Sequence, residues 1–169
     1  MSLRPIRLLG DPVLRTPAVP VTTFDKELRT LVKDLTDTML EAPGVGLAAN
    51  QVGVPLQVAV IEVEERVIEI VNPEIVRATG EQLDWEGCLS IPGYLAEVTR
   101  AEKVTVKARD RRGKEFRVKG TELLARALQH EIDHLNGRLY IDLLDSLDEL
   151  VRIGDGAEAE VEEDAPAGV

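Results

Sequence analysis

The chain has 169 residues with a single cysteine, and its net charge is −11 at pH 7. This length fits one domain with a full hydrophobic core, and one cysteine excludes an internal disulfide framework. The negative charge argues against broad, non-specific binding to nucleic acid, including DNA. No run approaches the roughly 18 apolar residues of a membrane span, and residues 1–15 lack the apolar segment of a secretory signal.

The first regular element is an amphipathic helix, which we predict over residues 24–41. Its apolar side chains recur at three- and four-residue steps, the spacing that puts them on one helix face. These residues are Leu28, Leu31, Val32, Leu35 and Met39. Thr22 and Asp25 are placed to form a capping box at its start, and Pro43-Gly44 is expected to stop it.

Short strands are predicted next along the chain. The three strands cover residues 56–62, 67–71 and 75–79. Asn72-Pro73 is expected to separate the last two. A hairpin follows, because residues 103–108 alternate strictly between polar and apolar, turn at 110–113, and return over 115–119.

This hairpin carries a group of basic side chains. They are Arg109, Arg111, Arg112, Lys114, Arg117 and Lys119. Basic patches can contact RNA. Because no aromatic residues are interleaved with the charges, we favour a solvated polar face over an RNA-binding one.

A second helix is predicted to begin with Thr121 as its N-cap and to end at Asn136. Apolar residues occur on more than one of its sides, as expected of a central, buried helix. The only two histidines in the chain, His130 and His134, lie four residues apart on this helix, so both project from one face and can bind one metal ion. Glu131 lies beside them, where a carboxylate can act on a metal-bound water.

A third metal ligand is needed to complete such a site. No histidine follows His134 at the spacing used by metzincin proteases, so Cys88 and Glu149 are the candidates. Cys88 is the better one, since it is flanked by Gly87, which lets the backbone approach closely. A lone cysteine is usually a buried apolar residue, but a thiolate with two imidazoles leaves a fourth position open for water, as in catalytic sites.

Three segments of the chain together carry a family signature. They are residues 44–51 (GVGLAANQ), 86–90 (EGCLS) and 129–137 (QHEIDHLNG). With these motifs the chain resembles the peptide deformylase family, whose signatures are GxGLAAxQ, EGCLS and QHExDHLxG, over residues 1–150. The resemblance implies a cytoplasmic, bacterial-type metal hydrolase. Such an enzyme removes the N-formyl group from the initiator methionine of new polypeptides.

The resemblance also implies roles for individual residues. The metal ligands would be Cys88, His130 and His134. The family favours Fe²⁺, although this donor set also accepts Zn²⁺, Ni²⁺ or Co²⁺. Glu131 would take a proton from water, and the Gln51 amide and the Leu89 backbone N–H would stabilise the oxyanion.

The substrate-binding residues are expected on the first motif and the second helix. Gly44 and Gly46 would let an extended peptide pair with the backbone near the metal. Val45, Leu123 and Ala127 would line an apolar pocket for the methionine side chain.

Two features depart from the family pattern. Some members have an arginine seven residues after the cysteine, where this chain has Leu95. Many members also carry a basic C-terminal helix that docks on the ribosome, whereas residues 155–164 here contain six acids and no base. Ribosome contact by that route is therefore not expected. We predict a catalytic domain over 1–153 and a disordered acidic tail over 154–169.

Two other functions remain open at this point. One is a zincin-like endopeptidase that uses Glu149 as its third ligand. The other is non-enzymatic, a structural metal site or an inactive relative that binds N-termini, but a structural site is normally closed by four protein ligands. The predicted fold class is α+β, with short antiparallel strands packed around a central metal-binding helix.

Overall fold

The computed structural model describes residues 2–153, and the predicted acidic tail 154–169 lies outside them. This part of the chain has two α-helices, α1 (Lys26–Glu41) and α2 (Glu122–Leu135), neither long and apolar enough to cross a membrane. Strands β1 to β8 are, in chain order, Gly46–Ala48, Val58–Val63, Arg66–Thr79, Gln82–Cys88, Ile91–Arg100, Lys103–Arg109, Glu115–Thr121 and Val151–Arg152.

The strands form two antiparallel sheets, which confirms the predicted α+β class. The larger sheet has the order β1-β2-β3-β6-β7, and the smaller has the order β4-β5-β8. Strand β2 lies between the two helices. Its successive side chains point to opposite faces of the sheet, and each face packs against one helix. Ala59 and Ile61 belong to the core around α2, whereas Val58 and Val60 belong to the core around α1. The helix that carries His130 and His134 is therefore packed on the larger sheet.

The capping hydrogen bonds at the starts of both helices differ from those expected. Asp25 is the N-cap of α1, and its carboxylate accepts a hydrogen bond from the Leu28 N–H at 3.0 Å. The predicted capping box with Thr22 was therefore wrong. Thr121 does stand at the N-cap of α2, but its side chain makes no capping hydrogen bond. The Glu122 N–H donates instead to the Glu102 carbonyl at 3.1 Å, so a neighbouring segment anchors this helix start.

One strand, rather than the two predicted, covers residues 66–79. Its pairing with β6 shifts register between Val71 and Glu74, and Asn72 has a φ of 51°. The Asn72 side chain accepts a hydrogen bond from the Val21 N–H at 2.8 Å and donates to the Val21 carbonyl at 2.9 Å. The expected break is thus a bulge inside β3 that fastens the N-terminal segment to the sheet.

Strands β4 and β5 were missing from the prediction. The first four residues of β4 are exposed or half-buried and include Asp84, so they lack the alternating apolar pattern of a half-buried strand. Its last three residues, 86–88, are buried. This strand matters because it delivers the second motif to the interior.

The last described residues complete the smaller sheet. Strand β8 pairs with β5 at Val151 and Leu95, and the Ile153 N–H donates to the Gly93 carbonyl at 2.8 Å. Leu95 is buried in this arrangement. The pairing provides a sharp test of the predicted boundary at residue 153.

We predict that deleting residues 154–169 leaves the melting temperature unchanged, whereas deleting 151–169 lowers it. The longer deletion removes β8 and uncovers Leu95, and exposing a buried leucine costs about 1.5–3 kcal/mol. In a domain of this size each kcal/mol corresponds to about 2–4 °C, so the expected drop is at least about 3 °C by calorimetry. A comparable drop for the shorter deletion would place the boundary beyond residue 153.

Candidate metal centre

Helix α2 and strand β4 bring three potential metal ligands together in the interior. Cys88 Sγ lies 3.3 Å from His134 Nε2, which lies 3.1 Å from His130 Nε2. The three donor atoms all lie within 4.8 Å of one another, and all three side chains are buried. A thiolate and two imidazoles that converge in this way suit one divalent transition-metal ion.

The local structure explains why these donors meet. The two histidines lie four positions apart on α2, so their rings lie on one face. Cys88 is the last residue of β4, where the pairing with β5 shifts register after Glu86. The side-chain amide of Asn50 donates to the backbone carbonyl of His134, so the first motif also holds the end of α2 that carries the second histidine.

Glu86 orients one of the histidines, although the sequence analysis did not identify it. Its fully buried carboxylate accepts a hydrogen bond from His130 Nδ1 at 2.5 Å, which leaves Nε2 free to bind a metal. Arg100 binds the same carboxylate at 2.6 Å and also binds Asp133 at 2.6 Å. The position of Glu86 two residues before Cys88, within the second motif, was the available signal.

The charges around the centre shift the pKa values of its members in opposite directions. Burial opposes ionisation of Glu86, but His130 and Arg100 outweigh it and hold the pKa of this carboxyl well below its usual range. Burial also opposes protonation of His130, yet Glu86 above all raises the pKa of that ring. Burial and the positive charge of His130 lower the pKa of His134. A metal ion held by both Nε2 atoms would take the place of the proton on His130.

Glu131 is completely buried, and neither of its carboxylate oxygens has a hydrogen-bond partner within residues 2–153. Burial, which desolvates the charged form, raises the pKa of Glu131 to about 7. The side chain packs directly on Gly46, because a Cβ at that position would lie only 2.8 Å from Glu131 Cδ. Gly46 therefore makes room for this carboxylate, a role that the sequence analysis did not include.

Gln51 lies beside the ligands with its amide held in a defined orientation. Its Oε1 accepts a hydrogen bond from the Ala48 N–H at 2.9 Å, and its Nε2 donates to Ser90 Oγ at 3.0 Å. The same Nε2 is 3.7 Å from Cys88 Sγ. The N–H side of the amide therefore faces the ligand cluster.

The remaining expected site residues are only partly brought together. Leu89 follows Cys88, and its side chain covers Gly44, where an added Cβ would lie 2.7 Å from Leu89 Cδ1. Val45 and Ala127 belong to one core around α2, with Ala127 fully buried. Leu123 is 38% exposed, and it lines a surface cavity of about 390 Å³ with residues from β2, β3 and β7.

Two other positions from the sequence analysis lie away from the cluster. Glu149 is exposed, and its carboxylate accepts a hydrogen bond from the Ser146 N–H at 2.9 Å. It is not part of the ligand group, so the arrangement gives no support to the endopeptidase alternative. In the basic hairpin, Arg111 makes a 2.6 Å ion pair with Glu69, so a neighbouring carboxylate neutralises part of the positive charge of the hairpin.

The family model described as polypeptide deformylase matches residues 3–150. A peptide deformylase from Heliobacterium modesticaldum is 53% identical over 146 residues, which cover 86% of this chain and 97% of that protein. One from Halothermothrix orenii is 49% identical and covers 92% of this chain and 98% of the relative.

Solved structures agree with these sequence relatives. The crystal structure of a peptide deformylase from Legionella pneumophila has a TM-score of 0.85 and 54% identity, covering 88% of this chain and 89% of that one. A Synechococcus elongatus peptide deformylase in complex with actinonin has a TM-score of 0.82 and 40% identity, with 94% and 84% covered. This chain therefore belongs to the peptide deformylase family.

Proposed function

We propose that Cys88, His130 and His134 hold one divalent metal ion and that Glu131 handles the proton in the removal of formyl groups. Family membership makes the protein a metal-dependent hydrolase that removes the N-formyl group from N-formylmethionyl polypeptides and releases formate. The observation that carries the residue assignment is the buried group of three donors next to an unpartnered carboxylate.

The donor set fits a catalytic rather than a structural ion. Three protein ligands leave a position open for water or substrate, whereas structural sites are usually closed by four. When bound there, a divalent ion would lower the pKa of a water molecule and polarise the formyl carbonyl. We propose Fe²⁺ as the ion in the cell, although the same ligands also accept Zn²⁺, Ni²⁺ and Co²⁺.

Glu131 is proposed as the group that moves the proton. Its carboxylate accepts a proton from the attacking water and later delivers it to the nitrogen of the leaving methionine. A pKa of about 7, raised by burial, suits both halves of this task near neutral pH. Gly46 holds the carboxylate in place by allowing it to pack on the backbone.

The developing oxyanion is proposed to receive hydrogen bonds from Gln51 Nε2 and the Leu89 backbone N–H. The Gln51 amide is fixed by Ala48 and Ser90 before substrate arrives, so it needs no reorganisation during the reaction. Leu89 directly follows the ligand Cys88, which places its backbone next to the centre.

The substrate is proposed to bind as an extended peptide along β1. This strand is at the edge of the larger sheet, so one side of its backbone is available for pairing with another strand. Val45 and Ala127 would contribute to the methionine pocket, with Leu123 at its exposed side.

New polypeptides with formylated methionine are the proposed partners, and the cytoplasm is the proposed compartment. A thiol that must bind a metal needs a reducing environment.

Formate release from formyl-Met-Ala-Ser tests the assignment most directly. We predict formate release by the Fe²⁺-loaded protein and none by the metal-free protein. With Zn²⁺, Ni²⁺ or Co²⁺ we expect formate release at rates that differ from one ion to another.

Glu131→Gln should keep the metal but lower kcat at least about 10²-fold, because the proton acceptor is lost. Glu149→Gln is the matched control and should have no effect. Full activity of metal-loaded Glu131→Gln would remove Glu131 from the mechanism.

Gly46→Ala should also lower kcat without loss of metal, because the added methyl group would displace the Glu131 carboxylate. We expect a loss that approaches that of Glu131→Gln. Combining Gly46→Ala with Glu131→Gln should cause little further loss, since both changes affect the same step. Metal content measured on each variant separates this effect from damage to the ligands. A fully additive double variant would mean that Gly46 acts independently of Glu131.

Gln51→Leu should lower kcat by about 10²–10³-fold and change KM much less, because an oxyanion donor acts mainly in the transition state. Ser90→Ala is the control, as it removes the hydrogen bond to Gln51 but keeps the amide. We expect it to have the smaller effect on kcat. Steady-state kinetics on folded, metal-loaded proteins provide the comparison. An unchanged kcat with a raised KM would limit Gln51 to positioning the peptide.

A further inference from the structure

Arg126 is a buried charge to which the mechanism assigns no role. It lies on α2 four residues before His130, and it is only 1% exposed. Its one carboxylate partner within residues 2–153 is Glu86, whose Oε1 lies 2.8 Å from Arg126 Nη1. A guanidinium is rarely buried unless it is paired and hydrogen-bonded. The pairing with Glu86 therefore connects Arg126 to the residue that orients a metal ligand.

The Glu86 carboxylate receives four hydrogen bonds from residues 2–153. Oε1 accepts from Arg100 Nε at 3.1 Å and from Arg126 Nη1 at 2.8 Å. Oε2 accepts from Arg100 Nη2 at 2.6 Å and from His130 Nδ1 at 2.5 Å. A carboxylate offers about four lone-pair sites, so all of them are used. The carboxylate plane cannot rotate without breaking several of these bonds at once.

The two arginines are not equivalent. Arg100 divides its charge between Glu86 and Asp133, to which its Nη1 is bound at 2.6 Å. Arg126 makes its ion pair with Glu86 alone among the described residues. Arg100 and Arg126 together face two carboxylates, Glu86 and the half-buried Asp133, so without Arg126 a single guanidinium would have to serve both.

Arg126 also fixes Glu86 with respect to the backbone. Its Nη2 donates to the Val98 carbonyl of β5 at 2.8 Å. One side chain on α2 therefore joins the helix to the carboxylate of β4 and to the next strand. This link holds Glu86 at a set distance from His130, since both contacts start from the same helix face.

We propose that Arg126 is a positioning residue for the metal, acting through Glu86 to hold His130 with its Nε2 directed at the ion. The proposal rests on the ligand set proposed above. Loss of Arg126 frees Oε1 of Glu86, loosens the hydrogen bond from Oε2 to His130, and lets the imidazole turn. The metal then dissociates faster, although none of its direct ligands has changed.

Metal affinity, rather than activity, provides the test. The full-length protein is loaded with Co²⁺, and the thiolate-to-cobalt absorption is followed during competition with a chelator of known affinity. We expect Arg126→Met to raise the Kd for Co²⁺ by about 10–100-fold, the usual effect of losing a residue that supports a ligand. Arg111→Met is the matched control, because it removes an arginine–glutamate pair outside the centre, and it should leave the Kd unchanged.

A double-variant cycle asks whether Arg126 acts through Glu86. The effects of Arg126→Met and Glu86→Gln on Kd should be strongly non-additive, since each breaks the same chain of contacts. Additive effects would overturn the route through Glu86. A wild-type Kd in folded Arg126→Met would overturn the proposal itself and leave Arg126 a purely structural residue.

Should Arg126→Met fail to fold, Arg126→Gln decides in its place. Glutamine keeps a polar side chain at this buried position but lacks the charge and the reach to Glu86, so a raised Kd supports the proposal and a wild-type Kd overturns it. The wild-type protein tests the ligand set separately. Absence of thiolate-to-cobalt absorption in that protein would refute the ligands, whereas normal absorption with an unaffected Arg126 variant would refute only the role of Arg126.

Discussion

The hydrogen bond between His130 and Glu86 is the interaction on which the rest of the centre depends. His130 lies on α2, which packs on the larger sheet, whereas Glu86 lies on β4 of the smaller sheet. Cys88 is two residues further along β4, so the same contact that orients the imidazole also sets the distance from the thiol to both rings. The proposed metal ligands come from two separate layers of the fold, and this bond fixes one layer to the other.

Residues of the three motifs contact one another directly. Gln51 of the first motif binds Ser90 of the second, and Asn50 binds the backbone of His134 in the third. The glycines of the first motif allow close contacts with side chains, since Gly46 accommodates Glu131 in the same way that Gly44 accommodates Leu89. The small residues in the first motif therefore follow from packing as much as from any contact with substrate.

The sequence predicts the parts of this structure that have a local pattern. Helix α2 follows from periodicity, and the spacing of His130 and His134 with the single cysteine indicates a site that includes Cys88. The family resemblance, now confirmed, extends the expected site to Gln51. The contacts among Glu86, Arg100 and Arg126 could not be predicted in this way, because they join residues 14 to 40 positions apart. Strand β4 was missed for a related reason, since only its buried end resembles a core strand.

Two buried carboxylates show how the fold gives one residue type two opposite roles. Glu86 and Glu131 are both completely buried, and burial alone favours the neutral form of each. Within the described part of the chain Glu86 receives four hydrogen bonds, three of them from guanidinium groups, so it stays ionised and serves as a fixed acceptor. Glu131 receives none from the described residues, and its pKa rises to about 7, where it can both accept and release a proton. The placement of donors, rather than burial, therefore decides which carboxylate holds a ligand and which one can take part in the chemistry.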